Sequence, residues 1–276
     1  MNTFNVVVPR APHAEVFRET AEALAEALRD LGYDAEVTRD EGNARSIIMG
    51  PHLLNAPPAP GSILYNLEQC TSQLFVNLLP LFRKYETWDY SPHNAVLLRE
   101  LGCRAKHVDL GYSPCLTRIA PAPKTIDVLF AGSRSERRAR VIAELQAMRL
   151  GVRLLFGCYG AERDRLIASA RVVLCMFFYD PPPVPLGRCV RCTYMAANGA
   201  CIVAEECACP CAPLVPLTPY HELASECRRL AVGHQAVRDH RGEVARETLA
   251  RMPLTDILRE ALSPVSRGTP ASSLPE

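Results

Sequence analysis

A buried strand, a turn and the start of a helix follow one another near the middle of the chain, in Asp127-Val128-Leu129-Phe130-Ala131-Gly132-Ser133-Arg134-Ser135-Glu136-Arg137-Arg138. The apolar run from Val128 to Ala131 predicts the strand, because short continuous apolar runs are typical of parallel sheets. Gly132-Ser133 predicts the turn, and the charged residues after it predict an exposed helix. This order of elements is one unit of an α/β fold with a parallel sheet.

The same stretch is a candidate phosphate site. Backbone amides at a helix N-terminus bind phosphate, and the hydroxyls of Ser133 and Ser135 add hydrogen-bond donors. Arg134, Arg137 and Arg138 supply positive charge nearby. A capped helix with a solvated basic face is the alternative interpretation. The glycine and lysine spacing of a P-loop is absent, which excludes that motif.

Strands and helices alternate on both sides of this stretch. We predict strands at 4–8, 34–37, 46–49, 62–65, 106–110, 127–131, 152–156, 172–176 and 201–204. We predict helices at 14–31, 70–84, 134–148, 161–170, 188–197, 221–232 and 235–261. Ala120-Pro121-Ala122-Pro123 separates two such series and is typical of a stiff linker.

The alternation predicts two Rossmann-like α/β domains that face each other across a cleft. The expected bounds are 1–119 for the first domain and 120–235 for the second, followed by terminal helices at 236–262 and a disordered tail at 263–276. Ligands of open parallel sheets bind beyond the carboxyl ends of the strands. We therefore expect a small-molecule site in the cleft.

Composition excludes several other classes. The chain has 276 residues, 48% of them hydrophobic, which is enough for a large core and excludes general disorder. Its net charge of +1 gives no excess for binding nucleic acid. No apolar run reaches the roughly 18 residues of a membrane span, and Met1 to Arg10 shows no secretory signal. We expect a cytoplasmic protein.

Arg188 and Arg191 are a second pair of candidate phosphate ligands. They lie three residues apart at the start of a predicted helix and therefore share a face of it. A guanidinium group donates hydrogen bonds in pairs, which suits a diphosphate. The alternative is a surface helix that ends at the cap Asn198-Gly199.

Glu68 and His52 are candidate catalytic residues of the first half. Glu68 lies at the end of a predicted strand and becomes a general base if its surroundings raise its pKa. His52 follows another strand end, and histidine transfers protons near neutral pH. A solvated loop carboxylate and a structural histidine are the alternatives.

The chain holds 12 cysteines, which are numerous for a protein without a signal peptide. Cys189 and Cys192 form a Cys-x-x-Cys pair, and Cys207, Cys209 and Cys211 follow. The spacing resembles zinc-ligand spacing only in outline, since a predicted helix and strand separate the groups. We favour ordinary thiols and leave a metal or redox role open.

Together these residues resemble glycosyltransferases of the GT-B architecture from bacteria. In the second half the resemblance lies in Gly132-Ser133, Glu136-Arg137-Arg138, the later Phe156-Gly157-x-Tyr159-Gly160, and Arg191 with Tyr194-x-x-Ala197-Asn198-Gly199. In the first half it lies in Gly50-x-His52-Leu53-Leu54, Tyr65-Asn66-Leu67-Glu68-Gln69, Trp88-Asp89-Tyr90-Ser91 and Gly111-Tyr112. It covers residues 45–205.

The resemblance implies a transferase that moves a sugar from a nucleotide-diphosphate donor to an unknown acceptor. The second half would bind the donor and the first half the acceptor, with Glu68 or His52 as base. It implies a nucleotide-sugar co-substrate and no other cofactor or metal, because basic side chains would neutralise the diphosphate. The implied donor residues are Gly132, Ser133, Arg137, Arg138, Tyr159, Arg188, Arg191 and Asn198.

Two features depart from that pattern. Tyr194 stands where related sequences often carry the glutamate that holds the ribose, and the loop from Pro9 to His13 lacks a glycine-rich turn. A non-catalytic relative that binds a nucleotide or a sugar is therefore the second hypothesis. A metal or redox protein built on the cysteines is the third.

Overall fold

The computed structural model describes residues 3–180, 188–207 and 214–263. Within these ranges, the first of two sheets has six strands. The strands are β1 (Thr3–Val7), β2 (Asp34–Thr38), β3 (Arg45–Met49), β4 (Ile63–Asn66), β5 (Glu86–Asp89) and β6 (Ala105–His107). They are parallel and lie in the order β2-β1-β3-β4-β5-β6. The order changes direction at β1 and β3, so ligands are expected at the carboxyl ends of these strands.

The second sheet has five described strands. They are β7 (Ile126–Ala131), β8 (Val152–Leu155), β9 (Ala170–Cys175), β10 (Ile202–Glu205) and β11 (Leu217–Thr218). All pair in parallel, in the order β11-β10-β9-β7-β8. The direction changes between β7 and β9, which places the Gly132-Ser133 turn at the second crevice. The two parallel sheets confirm the predicted α/β fold of two Rossmann-like domains.

Helices cover these sheets. They are α1 (Arg18–Asp30), α2 (Gln73–Phe82), α3 (Pro92–Glu100), α4 (Glu136–Ala147), α5 (Gly160–Ser169), α6 (Val190–Ala197), α7 (Leu223–Val232), α8 (Gln235–Ala250) and α9 (Leu254–Leu262). A 3₁₀ turn at Ala14–Phe17 replaces the first turn of the predicted helix at 14–31. Among the described residues, no helix is both long and apolar enough to cross a membrane.

The structure corrects the predicted elements in three places. The prediction missed β5 and α3, to whose residues it assigned no element, and it missed the two-residue strand β11. It also placed one helix at 235–261, where the structure has α8 and α9. Pro253 separates these helices, because proline has no N–H group to continue the helical hydrogen bonds.

The two terminal helices belong to different halves of the molecule. Helix α8 packs on α6 of the second half, whereas α9 returns to α1 of the first half. The return is fixed by backbone hydrogen bonds from Tyr112 N to Met252 O and from Leu254 N to Tyr112 O, each 2.8 Å. The chain therefore passes between the sheets twice, first through the linker and again before α9.

The predicted domain boundary near residue 120 falls between β6 and β7 and stays a prediction. Ser263 is the last described residue, so the expected disordered tail lies otherwise outside the described residues. Buried apolar side chains fill the space between each sheet and its helices, with Tyr65 and Trp88 in the first half and Val128 and Phe130 in the second.

Candidate functional site

A cavity of about 1100 Å³ lies between the two sheets. Glu68 lines it from the first half, and Gly132, Ser133, Arg138 and Arg191 line it from the second. These residues follow the carboxyl ends of β4 and β7 or lie on the adjoining helices α4 and α6. The cleft therefore occupies the position where parallel α/β sheets bind ligands.

The turn after β7 brings the backbone close to two arginines. Gly132 has a φ of 156°, and a Cβ atom there would lie 2.7 Å from a terminal nitrogen of Arg191 and 3.2 Å from one of Arg138. Only glycine leaves room for this approach. Backbone amides and two guanidinium groups consequently meet at one place on the cleft wall.

Arg138 joins the turn to the end of the neighbouring strand. Its guanidinium donates hydrogen bonds to the carbonyl oxygens of Ser133 (2.9 Å), Met176 (2.8 Å) and Phe177 (3.1 Å). Burial, and then the charge of Arg191, lower its pKa to about 10, so it remains protonated near neutral pH. The Ser135 hydroxyl accepts a hydrogen bond from Arg138 N and caps α4.

Arg191 lies at the start of α6 and donates a hydrogen bond of 2.6 Å to Ala131 O. Burial by itself would lower the pKa of Arg191, but the neighbouring sulfurs of Cys189 and Cys175 outweigh this effect, so the pKa is raised. Within the described ranges, neither Arg138 nor Arg191 forms a salt bridge with a carboxylate. Two positive charges without a carboxylate partner favour an anion beside Gly132.

Glu68 lies on the opposite wall, just after β4. The side-chain amides of Asn66 and Asn94 each donate a 3.0 Å hydrogen bond to its carbonyl oxygen. Asn66 also donates to the buried Asp89, at 2.6 Å. Burial raises the pKa of the Glu68 carboxyl, as a general base requires. The asparagines fix the backbone at this residue.

Direct contacts connect the two sides of the cleft. The Nδ1 atom of His13 and the hydroxyl of Tyr159 lie 3.2 Å apart and form a hydrogen bond. Arg163 pairs with Glu19 at 2.9 Å, and its guanidinium lies 4.4 Å from the ring centre of Tyr194. Tyr159 and Tyr194 both line the cavity. The Arg163–Glu19 pair was not predicted, because nothing in the spacing relates residues so far apart in the sequence.

Arg137 lies outside the cavity wall. It pairs with Asp180 at 2.8 Å and donates a 2.7 Å hydrogen bond to Glu205. Its guanidinium also lies 3.8 Å from the ring centre of Tyr220. These partners compensate the charge of Arg137 and hold α4 against the end of β10, so Arg137 does not join Arg138 at the turn.

Arg188 and Asn198 connect the two halves behind the cavity. Arg188 pairs with Asp109 at 2.7 Å and donates to Leu110 O at 2.9 Å. Asn198 Oδ1 accepts hydrogen bonds of 2.9 Å from Arg118 N and Ile119 N in the linker region. Both side chains therefore have structural partners, and neither is among the residues that line the cleft.

His52 also lies away from the main cavity. It lines a smaller cavity beside α2 with Leu54 and Leu81, and its ring centre is 6.3 Å from that of Phe17. Burial lowers its pKa. Glu68 is therefore the candidate base that the structure brings into the cleft, and His52 is not.

The cysteines do not form a metal centre among the described residues. No group of three or more histidine, cysteine, aspartate or glutamate side chains there is arranged to hold an ion. Cys189 lines the cleft and Cys192 is buried behind it. Cys209 and Cys211 lie outside the described residues, as does most of the proline-rich loop before Arg188.

No protein-family model matches the chain, and no curated protein matches it significantly. Solved structures do match it. The phage T4 β-glucosyltransferase is 11% identical, with 96% of this chain and 100% of that chain covered and a TM-score of 0.56. HepE from Anabaena, in complex with UDP and glucose, is 12% identical over 94% of this chain and 97% of that chain, with a TM-score of 0.56.

TarM shares the fold over a shorter part of its own length. It is 11% identical, with 90% of this chain and 57% of that chain covered and a TM-score of 0.50. At such identities the likeness concerns the fold, and it agrees with the sheet orders and the cleft described above. The chain therefore has the two-domain GT-B fold of these glycosyltransferases.

Proposed function

We propose that this chain is a glycosyltransferase that moves a sugar from a nucleotide-diphosphate donor to an acceptor in the cleft. One observation carries the proposal. The guanidinium groups of Arg138 and Arg191 meet at Gly132 in the crevice of the second sheet, and neither forms a salt bridge with a carboxylate of the described residues. The fold supports it, since structures with this fold include HepE with UDP and glucose.

The second half binds the donor. The diphosphate lies against the Gly132-Ser133 turn, where the amides that open α4 and the guanidinium groups of Arg138 and Arg191 stabilise its negative charge. The same groups stabilise the charge that grows on the diphosphate as the bond to the sugar breaks. Arg138 acts mainly through its charge, because its nitrogens already donate to carbonyl oxygens.

The first half binds the acceptor and supplies the base. The Glu68 carboxylate takes the proton of the acceptor hydroxyl as that oxygen attacks the anomeric carbon, and the nucleoside diphosphate leaves. This is a direct displacement with inversion, in which one carboxylate serves as general base. The pKa of Glu68, raised by burial, makes it a stronger base than an exposed glutamate.

The reaction needs no bound metal ion under this proposal. Two arginines and a helix N-terminus supply the positive charge that a divalent ion supplies elsewhere. Because these groups belong to the protein, we expect that EDTA leaves UDP affinity unchanged. The phage T4 enzyme, however, has also been solved with UDP and Mn²⁺. A large loss of UDP affinity in EDTA that Mn²⁺ restores would contradict the metal-independent mechanism.

A thermal-shift panel of nucleotides and nucleotide sugars tests the proposal, since a ligand of the folded state raises the melting temperature. We expect one nucleoside diphosphate and its sugar derivatives to raise Tm. The purified protein should also hydrolyse that donor slowly when no acceptor is present. Donor binding without hydrolysis or transfer would favour the non-catalytic hypothesis, and no shift with any nucleotide would refute donor binding.

A further inference from the structure

Cys189 and Cys192 stand on the first turn of α6, at the wall of the cleft. Cys189 is the N-cap residue and lines the cavity, whereas Cys192 is 2% exposed. The side chain of Cys192 donates a hydrogen bond to the sulfur of Cys189, so the two thiols are in direct contact. The Cα atoms of residues three apart in a helix lie about 5 Å from each other, which is within the range that a disulfide spans.

The surroundings of Cys189 favour its thiolate. Its sulfur accepts hydrogen bonds from Cys192 and from the guanidinium of Arg191, and these contacts lower its pKa to about 5 despite burial. Cysteines at helix N-termini and in Cys-x-x-Cys pairs commonly become nucleophiles in this way. The neighbouring thiols behave differently, because burial raises the pKa of Cys158 and Cys201.

We propose that Cys189 and Cys192 are a redox-active dithiol that a low-molecular-weight disulfide converts reversibly into an intramolecular disulfide. The arrangement has the two required parts, an attacking cysteine on the wall of the cleft and a buried resolving cysteine on the same helical turn. This modification goes beyond the proposed transfer reaction and does not depend on it.

The exchange balances in two steps. The Cys189 thiolate attacks one sulfur of the small disulfide, whose S–S bond breaks and releases a thiolate. The Cys192 thiol then gives up its proton, attacks the Cys189 sulfur and expels the second small thiolate. The released thiolates take up protons. The protein loses two electrons, and the small disulfide gains them and becomes two thiols.

Oxidation also changes the charge of the diphosphate site. The Cys189 thiolate pairs with Arg191, the residue that contacts the turn at Gly132. A disulfide carries no charge, so it leaves the Arg191 guanidinium to the ligand. We expect the oxidised protein to bind UDP about tenfold more tightly or better, because a like charge near the diphosphate has gone. This consequence rests on the proposed function.

The test treats the reduced protein with oxidised glutathione, blocks remaining thiols under denaturing conditions and counts them by mass spectrometry. We expect a loss of two thiols, a peptide that links Cys189 to Cys192, and full reversal by dithiothreitol. The variant Cys192→Ser should instead keep glutathione attached to Cys189. The variant Cys158→Ser is the matched control, since Cys158 lines the same cleft, and it should react like the original protein.

Three results would overturn the inference: no loss of thiols, stable glutathione on Cys189 of the original protein, or a disulfide between other cysteines. Calorimetry with UDP on both redox forms then tests the link to the donor site. Cys189→Ser should bind UDP as tightly as the oxidised form does, and oxidised glutathione should not change its affinity for UDP. Equal affinity of both forms would refute that link, whereas no UDP binding by either form would count against the proposed function.

Discussion

Arg191 is the residue on which the proposed donor site depends most. Arg191→Met keeps the apolar stem of the side chain and removes one of the two positive charges beside Gly132. We expect UDP affinity to fall about 10- to 100-fold, because a hydrogen bond to a charged group contributes about 1.5–3 kcal/mol. Calorimetry measures the change. Arg140→Met is the control, since Arg140 lies exposed on α4, and its UDP affinity should not change.

Glu68 is the residue that separates chemistry from binding. Glu68→Gln keeps the size of the side chain and removes the base, so donor turnover should fall about 10²- to 10⁴-fold while UDP affinity stays the same. Turnover of the donor from the thermal-shift panel, measured beside calorimetry, tests both parts. Equal turnover by the variant and the original protein would remove Glu68 from the mechanism.

The pH dependence of turnover follows from the same residue. Only deprotonated Glu68 acts as a base, and burial raises its pKa above the ordinary 4.5. Turnover should therefore fall as the pH drops through this raised pKa, and the loss should begin at a higher pH than for an exposed glutamate. The remaining turnover of Glu68→Gln should lack this acidic limb. A limb that persists in the variant would assign the titration to another group.

At this scale the sequence predicted local features well and distant partners poorly. The turn at Gly132 and the helix starts near Arg138 and Arg191 could be predicted, because such features show in neighbouring residues. Arg137 lies at the same helix start as Arg138, but its partner Glu205 comes from β10, far away in the sequence. No local pattern indicates such a partner.

Among the elements, α8 packs tightly against the end of α6 at Gly242. A Cβ atom on Gly242 would lie 2.0 Å from the carbonyl oxygen of Gly199, at the end of α6. Gly242→Ala must push α8 away, and we expect it to lower the free energy of unfolding by about 3 kcal/mol. Urea denaturation measures the change. Val244→Ala on the exposed face of α8 should alter it by less than about 0.5 kcal/mol.

The sequence predicted most elements from apolar periodicity and turn residues, and it failed where those signals are weak. Strand β5 contains Glu86 and Asp89, which interrupt the apolar run even though Trp88 is fully buried. Helices α8 and α9 continue one helical pattern, so only Pro253 marks their separation. Short strands that contain charged residues, and single prolines, leave too little periodicity for a prediction.

For the whole molecule, Asn198 ties the linker region to the second half. Its amide nitrogen donates to Leu116 O at 2.9 Å and Tyr194 O at 2.8 Å, and its oxygen accepts from two linker amides. Asn198→Ala should lower the free energy of unfolding by about 1–3 kcal/mol, because four backbone groups, most of them partly buried, lose a hydrogen-bond partner. Asn77→Ala, on the exposed face of α2, is the control for the urea measurement and should change the free energy of unfolding little.

The two-domain arrangement was predictable because each half repeats the same strand-helix order. The crossing of α9 back to α1 was not, since it depends on contacts between distant residues such as Tyr112 and Met252. The cleft follows from the arrangement as a whole: it exists because the carboxyl ends of both sheets face each other.

A crystal structure of the protein with bound UDP would show where the diphosphate lies. We predict that the diphosphate lies at the Gly132-Ser133 turn, with its oxygens within about 3.2 Å of the Arg191 guanidinium and of backbone N–H groups that open α4. A nucleotide bound elsewhere, or one whose diphosphate points away from Arg138 and Arg191, would contradict the account.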